Sequence, residues 1–210
     1  PERPPATPAP MCNLYRMTKP NSEVARWFDA IDQLGGANFG EEVFPGYPGV
    51  VVADGALVSM TWGFPLSLKG KSGQVLNPRP VNNTRSDKLD SQMWSASFQE
   101  RRCVIPVEAF AEAEGQKGSK TRTWFSDPDG DILGCAGIWR NSAEWGACYS
   151  MVMTDANATV RAVHGRMPVL LAERDWTSWT DGLAGKARAL CVPFAGALAV
   201  ERTDQPWNAR

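Results

Sequence analysis

Thr121–Met153 reads TRTWFSDPDGDILGCAGIWRNSAEWGACYSMVM, and this stretch decides the fold class. Three strand signals stand in it: Thr121–Phe125, Ile132–Trp139 and Ala147–Met153. Asp127-Pro128-Asp129-Gly130 parts the first two and Asn141–Glu144 the second two, both rich in turn-forming residues. Strands that follow one another through short turns make antiparallel sheet rather than regular βαβ units.

The same reading extends in both directions. Upstream, Arg102–Ile105 is a strand ending at Pro106. Val50–Ala53 and Ala56–Met60, closed by Asp54-Gly55, form a hairpin with a tight turn. Asn21 or Ser22 caps a helix whose stripe is Val24, Trp27, Phe28, Ile31 and Leu34, stopped by Gly35-Gly36. Lys69–Gly73 is a polar loop, and Asp87 caps a short helix carrying Leu89, Met93, Trp94 and Phe98. Downstream, Met167–Leu171 is a strand, Glu173–Trp179 a helix and Ala189–Pro193 the last strand. No repeat or internal linker interrupts 11–205. The expectation is an α+β fold, a single domain over 11–205 with antiparallel sheets in a barrel-like core and flanking helices.

Composition bounds the function only loosely. The 210 residues carry a net charge of −1, so no overall basic excess advertises a polyanionic partner. A local groove of arginines remains compatible with that balance. Five scattered cysteines without a C-x-x-C pair argue against a disulfide framework and for a reducing, cytoplasmic setting. One histidine and no close cysteine pair leave no ordinary zinc spacing, and no cofactor is called for. No apolar run approaches the roughly 18–20 residues of a membrane span. Residues 1–10, PERPPATPAP, have no apolar pattern and read as a disordered or removable leader or an upstream mis-called start.

Four segments can carry chemistry, each with a plainer reading beside it. Cys12, in Met11-Cys12-Asn13-Leu14-Tyr15, is by default a small core residue. Were Met11 removed, it would place an α-amine and a thiol on one carbon. That amine, with a pKa near 7.7–8.0, attacks an aldehyde as a Schiff base, and the thiol closes a thiazolidine. Asn82-Asn83-Thr84-Arg85-Ser86-Asp87 alone is a polar loop. In Arg101–Glu112 a strand leads to an acidic turn whose glutamates are solvated on the plain reading, and His164, in His164-Gly165-Arg166-Met167-Pro168, is by default structural.

Taken in order, these segments resemble the SOS-response-associated peptidase (SRAP) family across roughly Met11–Pro193. The resemblance is carried by an N-terminal cysteine, N-x-R-x-[DE], RRCxIP leading to a glutamate, and H-x-R-M-P. Trp62-Gly63-Phe64-Pro65 and Phe44-Pro45-Gly46 add to it. It implies capture of abasic sites in single-stranded DNA by a monomer that is cytoplasmic and nucleoid-associated when bound, with peptidase chemistry confined to exposing its own cysteine. Residue by residue, it implies Cys12 as nucleophile, Asn83 orienting the amine and contacting the sugar, Glu112 moving protons at the Schiff base, and His164 opening the sugar ring. Arg85 and Arg166 would hold phosphates and Trp62 would pack beside the DNA or in the core. The chain departs from the family in Glu108–Ala113 around the glutamate, in Asp87, in Asn13-Leu14 and in the leader. Two other functions stay open: a cysteine-type peptidase using Cys12 and His164 on other proteins, and a non-catalytic single-stranded DNA-binding module.

Overall fold

The computed structural model describes residues 12–36 and 39–209. The leader and Met11 lie outside the described residues. In chain order come β1 (Tyr15–Arg16), α1 (Asn21–Trp27), β2 (Ile31–Asp32), β3 (Glu42–Val43), β4 (Pro48–Ala53), β5 (Ala56–Trp62), β6 (Phe64–Leu66), β7 (Arg79–Val81) and β8 (Asn83–Arg85). There follow α2 (Ser95–Glu100), β9 (Arg102–Val107), β10 (Ala109–Glu114), β11 (Thr121–Ser126), β12 (Leu133–Ser142) and β13 (Gly146–Asp155). The chain ends with α3 (Ala158–Arg161), β14 (Arg166–Pro168), β15 (Leu170–Leu171), α4 (Trp176–Thr180), α5 (Ala184–Ala189) and β16 (Ala199–Pro206).

Strands β13, β12, β9, β4 and β5 pair in that order, all antiparallel, and β5 then returns to β13 in parallel. This closes a five-stranded barrel. The closing seam is short, Cys148 opposite Thr61 and Tyr149 opposite Trp62, with the Gly63 N–H donating to the Tyr149 carbonyl at 2.7 Å. Side-chain alternation sorts the barrel residues into two cores. Val51, Trp62, Cys103, Ile105, Cys135, Tyr149 and Met151 share the first. Val52, Leu57, Val104, Ile138, Cys148 and Val152 face outward into the second, where Val24, Phe28, Phe98, Trp179 and Ala187 of the helical segments cover them. Arg102 ties those helices to β9 through the carbonyls of Phe98, Gln99, Trp179, Thr180 and Gly182.

A second, antiparallel sheet runs β16–β11–β10–β1–β3. Phe110 and Phe125 stack at 5.2 Å and join the first core, while Ala109, Ala111 and Trp124 face the other way with Leu14. The α+β class, the antiparallel sheets and the barrel core agree with the sequence expectation. So does the β4–β5 hairpin, whose Asp54 and Gly55 have φ of 51° and 74°, the left-handed pair that a two-residue turn of this twist requires.

Several boundaries differ. Helix α1 stops at Trp27, and Asp29 turns the chain at φ 48°. Ile31 therefore lies exposed in β2 rather than on a buried stripe, although Leu34 does reach the second core. Asp87 caps no α-helix, since its carboxylate is held by Arg85 and α2 begins only at Ser95. Strand β9 continues through Pro106 to Val107. Strand β4 meets it only at Val104, so the proline sits at an edge where a missing donor is tolerated. The last strand is not Ala189–Pro193, because α5 reaches Ala189 and the Cys191 N–H closes onto Arg188. It is Ala199–Pro206, largely exposed and without apolar alternation.

Gly49 lies where the Tyr15 and Tyr149 hydroxyls meet across the barrel end, and a Cβ there would collide with both. Gly49→Ala should destabilise the fold by about 1–3 kcal/mol, the usual cost of overpacking. Removing both hydroxyls together in that background (Tyr15→Phe with Tyr149→Phe) should recover most of the loss, since neither ring keeps an unpaired partner. Thermal midpoints of the four chains check this.

Candidate active site

The register of β1 on β10, Tyr15 opposite Phe110 and Arg16 opposite Ala109, carries the chain just before β1 alongside the end of β10. Cys12 is thereby brought beside Glu112. Alternation on β10 turns Phe110 and Glu112 toward the barrel and Ala109 and Ala111 away from it, so a glutamate occupies a position where a core apolar residue would be the default. Cys12 is 0% exposed and joins the first core, with its thiol 3.7 Å from the Leu14 carbonyl.

The other two members come from segments docked on β13. Strand β8 pairs in parallel with β13, Asn83 opposite Met151, and the Asn83 side-chain amide donates to the Cys12 carbonyl at 2.6 Å. Strand β14 pairs with the end of β13, Asp155 opposite Arg166, and places His164 just before it. His164 Nδ1 is 3.7 Å from Glu112 Oε1, and its other close neighbours are the Arg166 carbonyl at 3.1 Å and the Arg166 N–H at 3.2 Å. Cys12, Asn83, Glu112 and His164, from four separate segments, thus form one cluster. The solvated reading of Glu112 fails, as it is 0% exposed.

Asn83 Oδ1 and both Glu112 carboxylate oxygens are buried without a side-chain hydrogen-bond donor. Burial pushes the Glu112 pKa well up, against a partial opposing pull from the Cys12 backbone N–H and the Lys120 charge. Burial also raises the Cys12 thiol far above its ordinary value, and the Glu112 charge adds to the rise. The resting pair is therefore a neutral thiol beside a carboxyl that favours its protonated form.

Arg85 and Arg166 both sit at the end of β13, opposite Met153 and Asp155 respectively. Each has an acidic companion: Asp87 at 2.6 Å from Arg85, Asp155 at 3.5 Å from Arg166. Arg85 holds the Asp87 carboxyl below the ordinary range. Trp62 takes the core alternative. It is 0% exposed, stacks on Tyr149 and meets Tyr15 edge-on, so it has no face left for a nucleobase. Sequence reasoning missed Asn82, whose amide donates to the Cys12 carbonyl at 3.1 Å and to Asn13 Oδ1 at 3.0 Å, while its carbonyl receives the Trp62 indole N–H. Nothing but its place beside Asn83 marked it. Among the described residues no three His, Cys, Asp or Glu side chains gather to hold a metal, and no helix is long and apolar enough to cross a membrane.

Fold and site together define a barrel-cored α+β domain with a buried cysteine beside a buried glutamate. The chain belongs to the SOS response associated peptidase (SRAP) family, which matches residues 11–205. Membership associates it with the DNA-damage response, with DNA and with peptidase-like or DNA-processing activity. No curated protein matches it. Among solved structures it is similar to a Bordetella bronchiseptica protein, with a TM-score of 0.77 and 21% identity over 91% of this chain and 99% of that one. A Bacteroides thetaiotaomicron protein gives 0.75 and 15%, covering 91% of each chain. A phage-related protein of B. bronchiseptica gives 0.64 and 17% over 92% and 95%. At these identities the likeness is one of fold.

The buried carboxyl makes stability depend on pH. Below the ordinary glutamate pKa of about 4.3 the folded and unfolded chains both hold the proton; above it the unfolded chain releases the proton first. A raised folded pKa therefore contributes stability in full below about pH 4.3 and loses it as pH rises toward the folded value. Glu112→Gln, which cannot ionise, should match wild type in thermal midpoint near pH 4 and exceed it by a growing margin toward pH 8. Midpoints measured across that range check the sign.

Proposed function

We propose that this protein captures abasic sites in single-stranded DNA as a thiazolidine on Cys12, after hydrolysis of the Met11–Cys12 bond frees the α-amine. The observation that supports this best is the set of three buried acceptors without a side-chain donor, Asn83 Oδ1 and the two Glu112 oxygens, with the Cys12 backbone nitrogen facing the carboxyl. A free α-ammonium brings three N–H donors to such a set, whereas a peptide nitrogen has one. Asn83 Nδ2 and Asn82 Nδ2, both on the Cys12 carbonyl, fix the residue while its amine is presented.

The chemistry then uses each group once. His164 has Nδ1 turned to the Arg166 backbone, 3.7 Å from Glu112, which leaves Nε2 to move the proton that opens the cyclic sugar to its aldehyde. The Cys12 amine adds to the aldehyde carbon. Glu112, which takes up the proton that the α-ammonium gives up and whose acid form burial favours, delivers it to the departing hydroxyl, which leaves as water. The resulting carboxylate accepts the thiol proton as Sγ bonds to the iminium carbon and closes the ring. This matters because the thiol is a weak nucleophile until that proton goes. Arg85 and Arg166 exchange their aspartates for backbone phosphates. The linked product shields the lesion from strand cleavage.

A cross-linking time course on an abasic oligonucleotide at saturating protein tests the assignment. Cys12→Ala should form no heat-stable adduct, while Glu112→Ala and His164→Ala should be slower by about 10²–10⁴-fold, the usual reach of general acid–base groups. Wild-type rates in both would reject the roles, and cleavage of unrelated peptides that depends on Cys12 would favour the peptidase reading instead. Separately, Arg85→Ala and Arg166→Ala should each flatten the salt dependence of single-strand binding by about 0.7 of a unit of slope. Filter binding across a salt series measures it.

A further inference from the structure

A cleft of about 400 Å³ opens one residue beyond the nucleophile, lined by Asn13, Phe44, Pro45, Pro80, Trp207 and Asn208. That volume lies within the range of small-ligand sites. No charged side chain lines it. An uncharged slot with two aromatic rings and two side-chain amides suits a planar heterocycle with hydrogen-bonding edges, not a phosphate. Across Trp207 a second cleft of about 430 Å³ carries Lys120 and Asp204, whose opposite charges offer a phosphate no net attraction.

Trp207 is a fixed wall. Its backbone N–H donates to the Lys120 carbonyl at 2.8 Å, and the Ala209 N–H turns back to the Pro206 carbonyl at 3.1 Å. The Arg122 guanidinium, buried and paired with Glu42 at 2.7 Å, also grips the Ala209 carbonyl. Trp207 and Phe44 both pack on the small core of Leu14, Ala109, Ala111 and Trp124, on the opposite face of β10 from Glu112. Trp207 lies beyond the residues the family matches, 11–205.

We propose that this cleft is a stacking subsite for the nucleobase beside the captured sugar, with Trp207 and Phe44 as its aromatic walls and Arg122 as the positioning residue for the tryptophan. The inference rests on the cross-linking function proposed above. Stacking of a base on an aromatic side chain is sequence-tolerant, so the subsite would add affinity without dictating sequence.

The test uses a single-stranded oligonucleotide with a tetrahydrofuran abasic analogue, which has no aldehyde to react, and 2-aminopurine placed on either flank. On binding wild type, the probe on one flank should be quenched. Trp207→Leu, which keeps apolar packing and loses the aromatic face, should abolish that quenching and weaken binding by about 5- to 150-fold, the span of measured base–aromatic stacking. Trp207→Phe should retain most of both. Absence of quenching on both flanks overturns the subsite, as would occupation of the cleft by a peptide side chain instead; so does unchanged quenching or affinity in Trp207→Leu. A wild-type protein that binds and quenches the analogue yet never cross-links a natural abasic strand overturns the role of Cys12 and leaves the subsite standing. Normal cross-linking without quenching does the reverse.

Discussion

Two residue pairs hold the architecture closed. The parallel contact of Thr61 and Trp62 with Cys148 and Tyr149 is the only place where the hairpin β4–β5 meets β13, and through it an open sheet becomes a ring among the described residues. Closure removes two exposed strand edges and wraps one apolar interior around Trp62, Tyr149 and Tyr15. It also fixes the site. Strand β8 docks on β13 just past the seam and delivers Asn83, and β14 docks at the strand's end and delivers His164. A shift in the seam would move both away from Cys12, which arrives from the second sheet.

That dependence explains how much could be read from the sequence. Strands with turn chemistry between them were visible as local pattern, and β11, β12 and β13 appear within a few residues of their expected bounds. Pairings that join distant segments leave no local trace. Nothing around Asn83 signals a strand, since its partner Met151 lies far along the chain and supplies the missing context. Strand β16 has no alternation because most of its side chains face solvent. The helix expected from Asn21 or Ser22 through Leu34 forms but stops at Trp27, for the converse reason. Its spacing was helical, but Asp29 takes a left-handed conformation and Ile31 is drawn to the edge of β5.

The candidate site was legible in its members more than in its geometry. Cys12, Asn83, Glu112 and His164 were singled out by motif, and the fold brings all four together. Their environment was not legible. A glutamate seven residues past the expected strand Arg102–Ile105 reads as solvated, and only the inward turn of alternate β10 residues shows that it is buried without a side-chain hydrogen-bond partner. Leaving carboxylate oxygens unsatisfied in an apolar interior costs a few kcal/mol, as an unpaired buried polar group does generally. A sheet position that costs this much and would accept a leucine is a mark of chemistry.

The thiols of Cys12, Cys103 and Cys135 share the barrel interior, and burial raises all three above their ordinary range. Oxidants and stray electrophiles attack the thiolate, so a sulfur kept protonated and away from solvent ages slowly. The same enclosure that makes the nucleophile weak at rest makes it durable. Under the proposed function the protein acts once per molecule, so it is limited less by turnover than by the fraction of copies still intact when needed. On that proposal burial of Cys12 lengthens the working life, and the neighbouring carboxyl supplies reactivity locally at the moment of use.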